Sequence, residues 1–216
     1  MIRSIGLSDI LFIAQGAGWT LVLTTIAFVG GSLIGLPMAI MRTSKSLPLR
    51  LIASAYIQVI QGIPVLMLLF IFYFGLSILG YRLPTLVAVG IGLMLYSSAF
   101  LADIWRGAIQ SIARTQWEAA EALALTPMQR MTHVIIPQAV RRAIPPTVGF
   151  LVQIIKNSSI ASIVGYVELS RAGQLISDAT FQPLIIFSVV AVIYFLIGFP
   201  ISALSRTLER KLHGAR

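Results

Sequence analysis

The sequence predicts an all-α integral membrane protein, and three observations carry that prediction. Apolar residues make up 57% of the 216 residues and charged residues only 11%, against about 25% charged in soluble domains. A mean hydropathy of +0.92 leaves too little polar surface to cover a water-facing globule. The charges also fall in short gaps between long apolar runs. That spacing separates a net charge of +9 from the basic patch of a nucleic-acid-binding domain. The absence of cysteine excludes disulfides, zinc–thiolate sites and thiol catalysis together.

A helix needs about 20 mostly apolar residues to cross roughly 30 Å of hydrocarbon. Five stretches qualify: residues 18–41, 62–79, 84–102, 147–165 and 183–204. Residues 1–17 read as a short external or interfacial segment. There Arg3 is followed by an apolar stretch broken by Asp9 and Gln15, with no small-residue cleavage site of the kind a signal peptide carries. Within the first span, Gly31 and Gly35 have the spacing of a close helix-packing motif, which arises easily by chance in a glycine-rich span. Residues 49–61 are apolar but carry Gln58 and Gln61. They lead obliquely into the second span, with a break at Pro64, which cannot donate to the carbonyl four residues back.

Loop charges orient the spans. Arg42, Lys45 and Arg50 follow the first; Arg106, Arg114, Arg130, Arg141 and Arg142 follow the third; Arg206, Arg210, Lys211 and Arg216 follow the fifth. The opposite side holds only Arg3, Arg82 and Arg171. Lys and Arg accumulate on the cytoplasmic side, so the N-terminus is expected outside and the C-terminus, a basic tail at 206–216, inside. The transmembrane domain then covers residues 18–205.

Residues 103–146 form the one long connection, between spans three and four, and read as a helix–turn–helix. Thr115 and Glu118 have capping-box spacing, as do Thr126 and Gln129, with Pro127 at the favoured first helical position. The second helix is expected to stop near Pro137, because the residue before a proline avoids the helical region.

The fourth span carries the polar residues that best suggest a site. Gly149, Gln153, Lys156 and Asn157 follow helical spacing on one face. A lysine about halfway along a span costs at least about 2.5 kcal/mol to insert, so it needs a partner or a water-filled cavity. Lys156 either lines a solute path and meets a carboxylate, or is satisfied by carbonyls and polar groups at a subunit interface. Gln153 and Asn157 suit an amino-acid head group or a helix–helix hydrogen bond. Gln61 suits the path, a gate or a helix contact. Tyr96, Ser97 and Ser98 are weaker candidates, because small hydroxyl residues are ordinary packing groups in membranes. Asp103 and Arg106 pair with each other one turn apart. Glu168, Arg171 and Asp178 fall on an outer loop, as partner contacts or as solvated side chains. Paired carboxylates, metal-ligand clusters and nucleophile–base arrangements are missing at membrane depth, which argues against a membrane enzyme. An ion-coupled secondary transporter of small polar solutes is the alternative function, although few buried carboxylates are available to carry its ion.

Glu118, Ala119 and Ala120, then three residues, Ala124, nine residues, and Val134, Ile135, Ile136 and Pro137 together resemble the EAA loop of the membrane subunits of ABC-type importers. The run from Trp117 to Pro146, the stretch from Tyr56 to Pro64 and the stretch from Lys156 to Ser159 are similar to the polar amino-acid subfamily. The resemblance implies a permease subunit that moves a polar amino acid by alternating access across a bacterial cytoplasmic membrane. It implies a coupling helix containing Glu118, Ala119, Ala120, Ala124, Thr126 and Pro137 that docks on a cytoplasmic ATPase dimer. It also implies a second permease subunit, identical or homologous, and an external substrate-binding protein. No lysine follows a glycine, so the chain has no phosphate-binding loop. Nucleotide with its magnesium is then used by the partner, and this chain is expected to bind no cofactor, metal or nucleic acid. Three positions depart from the family pattern: Ala124 replaces a turn glycine, Gln61 an arginine and Asn157 an aspartate. A non-glycine residue is costly in a left-handed turn, which leaves open a turn of different shape at Ala124.

Overall fold

The computed structural model describes residues 4–213, so Arg3 and Arg216 lie outside the described residues. The described residues are helical, joined by turns. Helix α1 (Leu7–Thr43) is followed by α2 (Leu47–Gly62) and α3 (Val65–Ile78), then α4 (Thr85–Gln110). After α5 (Arg114–Ala122) come α6 (Pro127–Val164), α7 (Leu169–Thr180) and α8 (Pro183–His213). Among the described residues, four helices are long and apolar enough to cross a membrane, and the bent pair α2–α3 makes a fifth candidate. The bend, 98°, falls where Pro64 was expected to break the path.

Several boundaries differ from the expectation. Helix α1 is continuous for 37 residues, about 55 Å at 1.5 Å per residue. Residues 7–17 are therefore its first turns rather than a separate segment. Gly31 and Gly35 are a true packing seam. A Cβ at Gly31 would lie 2.7 Å from the Ser97 Cβ, and one at Gly35 would lie 2.7 Å from the Ser98 carbonyl oxygen. Glycine here lets the backbones of α1 and α4 approach.

The long connection is shorter than its sequence suggests, because α4 continues to Gln110 and α6 begins at Pro127. The capping box at Thr126 and Gln129 is present: Thr126 Oγ1 accepts the Gln129 amide and Gln129 Oε1 accepts the Thr126 amide. The box at Thr115 is not. Helix α5 starts two residues earlier, capped by the Ala113 backbone, and the Glu118 carboxylate turns to the Arg114 guanidinium at 2.9 Å. Nor does a helix stop at Pro137. The turn Arg130–Ile135 just before it is widened, with the Ile136 amide donating to Met131 five residues back. The proline thus enters a ladder already adjusted to one missing donor. Pro145 and Pro146 also lie inside α6, and the Ser205 hydroxyl donates to the Pro145 carbonyl at 2.8 Å.

The long apolar helix α6 is followed by a short helix, α7, on the same neighbour. Along α8, Ser205 meets Pro145, Gly198 packs near Val152, Tyr194 meets Ser170, and Gly173 presses on Val190. Helices α6 and α7 thus pack in succession along one antiparallel neighbour. A 3-10 turn at Ser159–Val164 and Gly165 at φ +82° separate them. The apolar spacing of Leu169, Ala172, Gly173 and Ile176 puts the buried face of α7 against α1 and α8.

Candidate functional site

The break between α6 and α7 brings opposite helix ends close together in sequence. Lys156 lies in the last α-helical turn of α6, where a cation complements the partial negative charge of the terminal carbonyls. Hydroxyls satisfy two of those carbonyls: Ser158 donates to Ile155 at 2.7 Å and Ser159 to Lys156 at 2.6 Å. Lys156 is exposed and lines a cavity of about 350 Å³ with Tyr194, Phe195, Phe199, Ser202 and Arg206.

At the other side of the break, Glu168 caps the N-terminus of α7. Its side chain is fully buried, at 0% exposure. Oε1 accepts the Arg171 amide at 2.9 Å; Oε2 accepts the Ser170 amide at 3.0 Å, the Tyr194 hydroxyl at 2.8 Å and the Thr20 hydroxyl at 3.3 Å. Thr20 in turn accepts the Leu169 amide. One carboxylate thereby ties α1, α7 and α8 together, and the amides at the α7 N-terminus offset its charge. Sequence reasoning put Glu168 on an outer loop. Glutamate is not a favoured N-cap residue, and the informative signal was the helical apolar spacing after Leu169.

The other candidates separate. Gln153 donates to Asn157 at 3.1 Å, and the Asn157 amide nitrogen is buried with no partner among the described residues. Tyr96 stacks with Phe100 and Phe150, one turn before Gln153. Ser97 turns away from this group. Its Cβ packs toward Gly31, and its hydroxyl is buried without a partner among the described residues. Gln61 reaches the Ala99 carbonyl at 3.5 Å. Asp103 and Arg106 pair at 2.7 Å, as expected.

At the end of the bundle rich in Arg and Lys, α5 and α6 project a tight turn. Ala124 adopts φ +53°, so the left-handed shape is kept without glycine. The Leu125 amide donates to the Ala120 carbonyl and the Ala124 amide to Glu121, satisfying the end of α5. Arg130 reaches Glu121 across the turn at 3.3 Å. Ala120 is buried, while Glu118, Ala119, Thr126 and Pro137 are exposed. Leu123 and Met128, exposed at 74% and 72%, flank the turn as two apolar knobs that the sequence analysis did not single out.

Residues 31–214 match the model of the family described as "binding-protein-dependent transport system inner membrane component". The chain belongs to that family. The "probable amino-acid ABC transporter permease protein YckA" of Bacillus subtilis (strain 168) is 36% identical over 200 residues, 93% of this chain and 88% of that protein. The "L-cystine transport system permease protein TcyB" of the same organism is 33% identical, over 93% and 86% of the two chains. Among solved structures, an "amino acid ABC transporter with histidines" superposes with a TM-score of 0.89 at 33% identity, covering 97% of this chain and 100% of that one. The MetNI methionine ABC transporter superposes at 0.81 with 21% identity, which supports the fold. This chain is therefore an ABC-transporter permease, and its relatives are membrane subunits rather than ATPases.

Proposed function

We propose that this permease carries a polar amino acid into the cell, across the cytoplasmic membrane of a bacterium, driven by a separate ATPase dimer. The observation that carries this reading is the projecting α5–α6 turn, with Glu118, Leu123, Ala124 and Met128 displayed at the basic end of a chain whose relatives are named as amino-acid permeases. Leu123 and Met128 enter a groove of the ATPase, and Glu118 and Arg114 flank it. The rigid passage from the turn through α6 to Lys156 carries movement of the ATPase to the break between α6 and α7, giving alternating access. The basic end is cytoplasmic and the N-terminus outside. A second permease, identical or homologous, completes the path, and an external binding protein delivers the solute. Lys156, Gln153 and Asn157 line the path, the lysine facing the solute carboxylate; Tyr96 and Gln61 border it, and Ser97 supports it from the α1 seam. ATP and magnesium are used by the partner.

The test is reconstitution of the complex in vesicles with ATPase and binding protein. Solute-loaded binding protein should stimulate ATP hydrolysis and uptake, and Glu118→Arg should lower coupled uptake at least tenfold. Undiminished uptake and assembly in the Glu118→Arg complex would remove the coupling role. Uptake that ignores ATP but collapses with an ion gradient would replace the importer with a secondary transporter.

A further inference from the structure

Two cavities meet at a single hydrogen bond. The first, of about 720 Å³, is lined by Ser162, Ser170, Gln174, Ser177, Asp178 and Phe181, and lies beside α7 and the start of α8. The second holds Lys156 and runs beside α8 from Tyr194 to Arg206, toward the basic end. Ser170 borders the first cavity and Tyr194 the second, and their hydroxyl oxygens are 2.9 Å apart. Because Tyr194 donates its proton to Glu168, its oxygen accepts from Ser170.

We infer that the Ser170–Tyr194 contact is the closed outer gate of the solute path, with Glu168 as the fixed post that holds it. The inference rests on the importer reading for its direction. One hydroxyl–hydroxyl bond shifts a closed–open balance by only about tenfold or less, so it can yield during transport. The post is far more firmly held, by two backbone amides and Thr20. The Gly16 backbone packs against Ala172, keeping α7 on α1. The 3-10 turn and the left-handed Gly165 supply a joint on the other side of the gate, at a position suited to hinge motion. When Ser170 and Tyr194 part, each exposes a hydroxyl to the opening, and a small polar solute replaces the bond they lose. Both cavities are lined mainly by apolar groups, and the cations Lys156 and Arg206 beyond the gate fit a solute that carries a carboxylate.

The chain contains no cysteine, so Ser202→Cys places a single thiol reporter in the second cavity. The full complex is assembled in right-side-out vesicles, and alkylation of this chain at position 202 by a membrane-impermeant maleimide is timed from outside. In the reporter background the reaction is slow. Adding Tyr194→Phe, which keeps the ring and removes the hydroxyl, should speed it about three- to tenfold, and Ser170→Ala should do the same. Thr180→Val, which removes another buried hydroxyl from α7, one that donates to the Ile176 carbonyl away from the gate, should leave it within twofold. Equal rates in the background, Tyr194→Phe and Ser170→Ala complexes overturn the gate. Thr180→Val matching Tyr194→Phe also overturns it, since any loosening of α7 would then open the cavity. The labelling needs neither ATP nor binding protein, so it separates failure of the gate from failure of the importer reading.

Discussion

Among the left-handed residues that follow helices of this permease are Ala124 at +53° and Gly165 at +82°, and the surroundings of these two breaks are opposite in kind. Around Ala124 the carboxylates and Arg114 are exposed, while Arg130 is largely buried. The Arg114 and Glu118 side chains are 91% and 60% accessible, and water screens their attraction. Beyond Gly165 the charged group is buried, and Glu168 is satisfied by backbone and hydroxyl donors rather than by a cation. An exposed break can hold its shape with weak contacts and keep its side chains free for a partner. A buried break must satisfy every polar group internally, so its residues become structural as well as functional.

That contrast can be broken by substitution. Glu168→Ala should be the most damaging, because four donors lose their acceptor and buried unsatisfied donors cost about 1–3 kcal/mol each. Allowing for partial relaxation, a loss of at least about 3 kcal/mol is expected from those values, seen as a large drop in the thermal unfolding midpoint in detergent. A midpoint close to the unmodified protein would mean that the buried break does not depend on this carboxylate. Ala124→Gly should act in the opposite direction. The left-handed region costs an L-residue about 1–2 kcal/mol, partly offset by the greater freedom of glycine in the unfolded chain. A small rise in the midpoint with ATPase assembly retained is the expected result; a fall would show that Ala124 makes contacts worth more than its strain. The smallest effect belongs to Glu118→Ala, which should change stability by less than about 0.5 kcal/mol while still lowering coupled uptake. A stability loss equal to that of Glu168→Ala would erase the distinction between the two regions.

Much of the molecule was legible in the sequence for reasons that can be named. The Thr126 capping box was readable because its partners lie three residues apart and need nothing else. Local rules failed where a neighbouring element intervened. Thr115 lost its capping role because the chain entered the helix at Arg114 and Glu118 found a partner one turn back. Pro137 failed to stop a helix because the ladder had already widened before it. The packing role of Gly31 and Gly35 became visible only with α4 beside them. Lys156 stood out in the sequence as a residue needing an explanation, but its position at a helix end and in a cavity could not be read from its own span.

By itself the sequence determined the membrane class, the apolar segments, the exposed helix–turn–helix and the family resemblance. Each depends on composition or on residues within a few positions of one another. Tertiary structure alone decided that α7 packs on α1 and α8 and that Glu168 is buried. It also decided that Ser170 and Tyr194 meet between two cavities. Those facts rest on contacts between α1, α7 and α8, such as the Thr20–Glu168 hydrogen bond across 148 residues, and a carboxylate's surroundings are set by the helices packed around it.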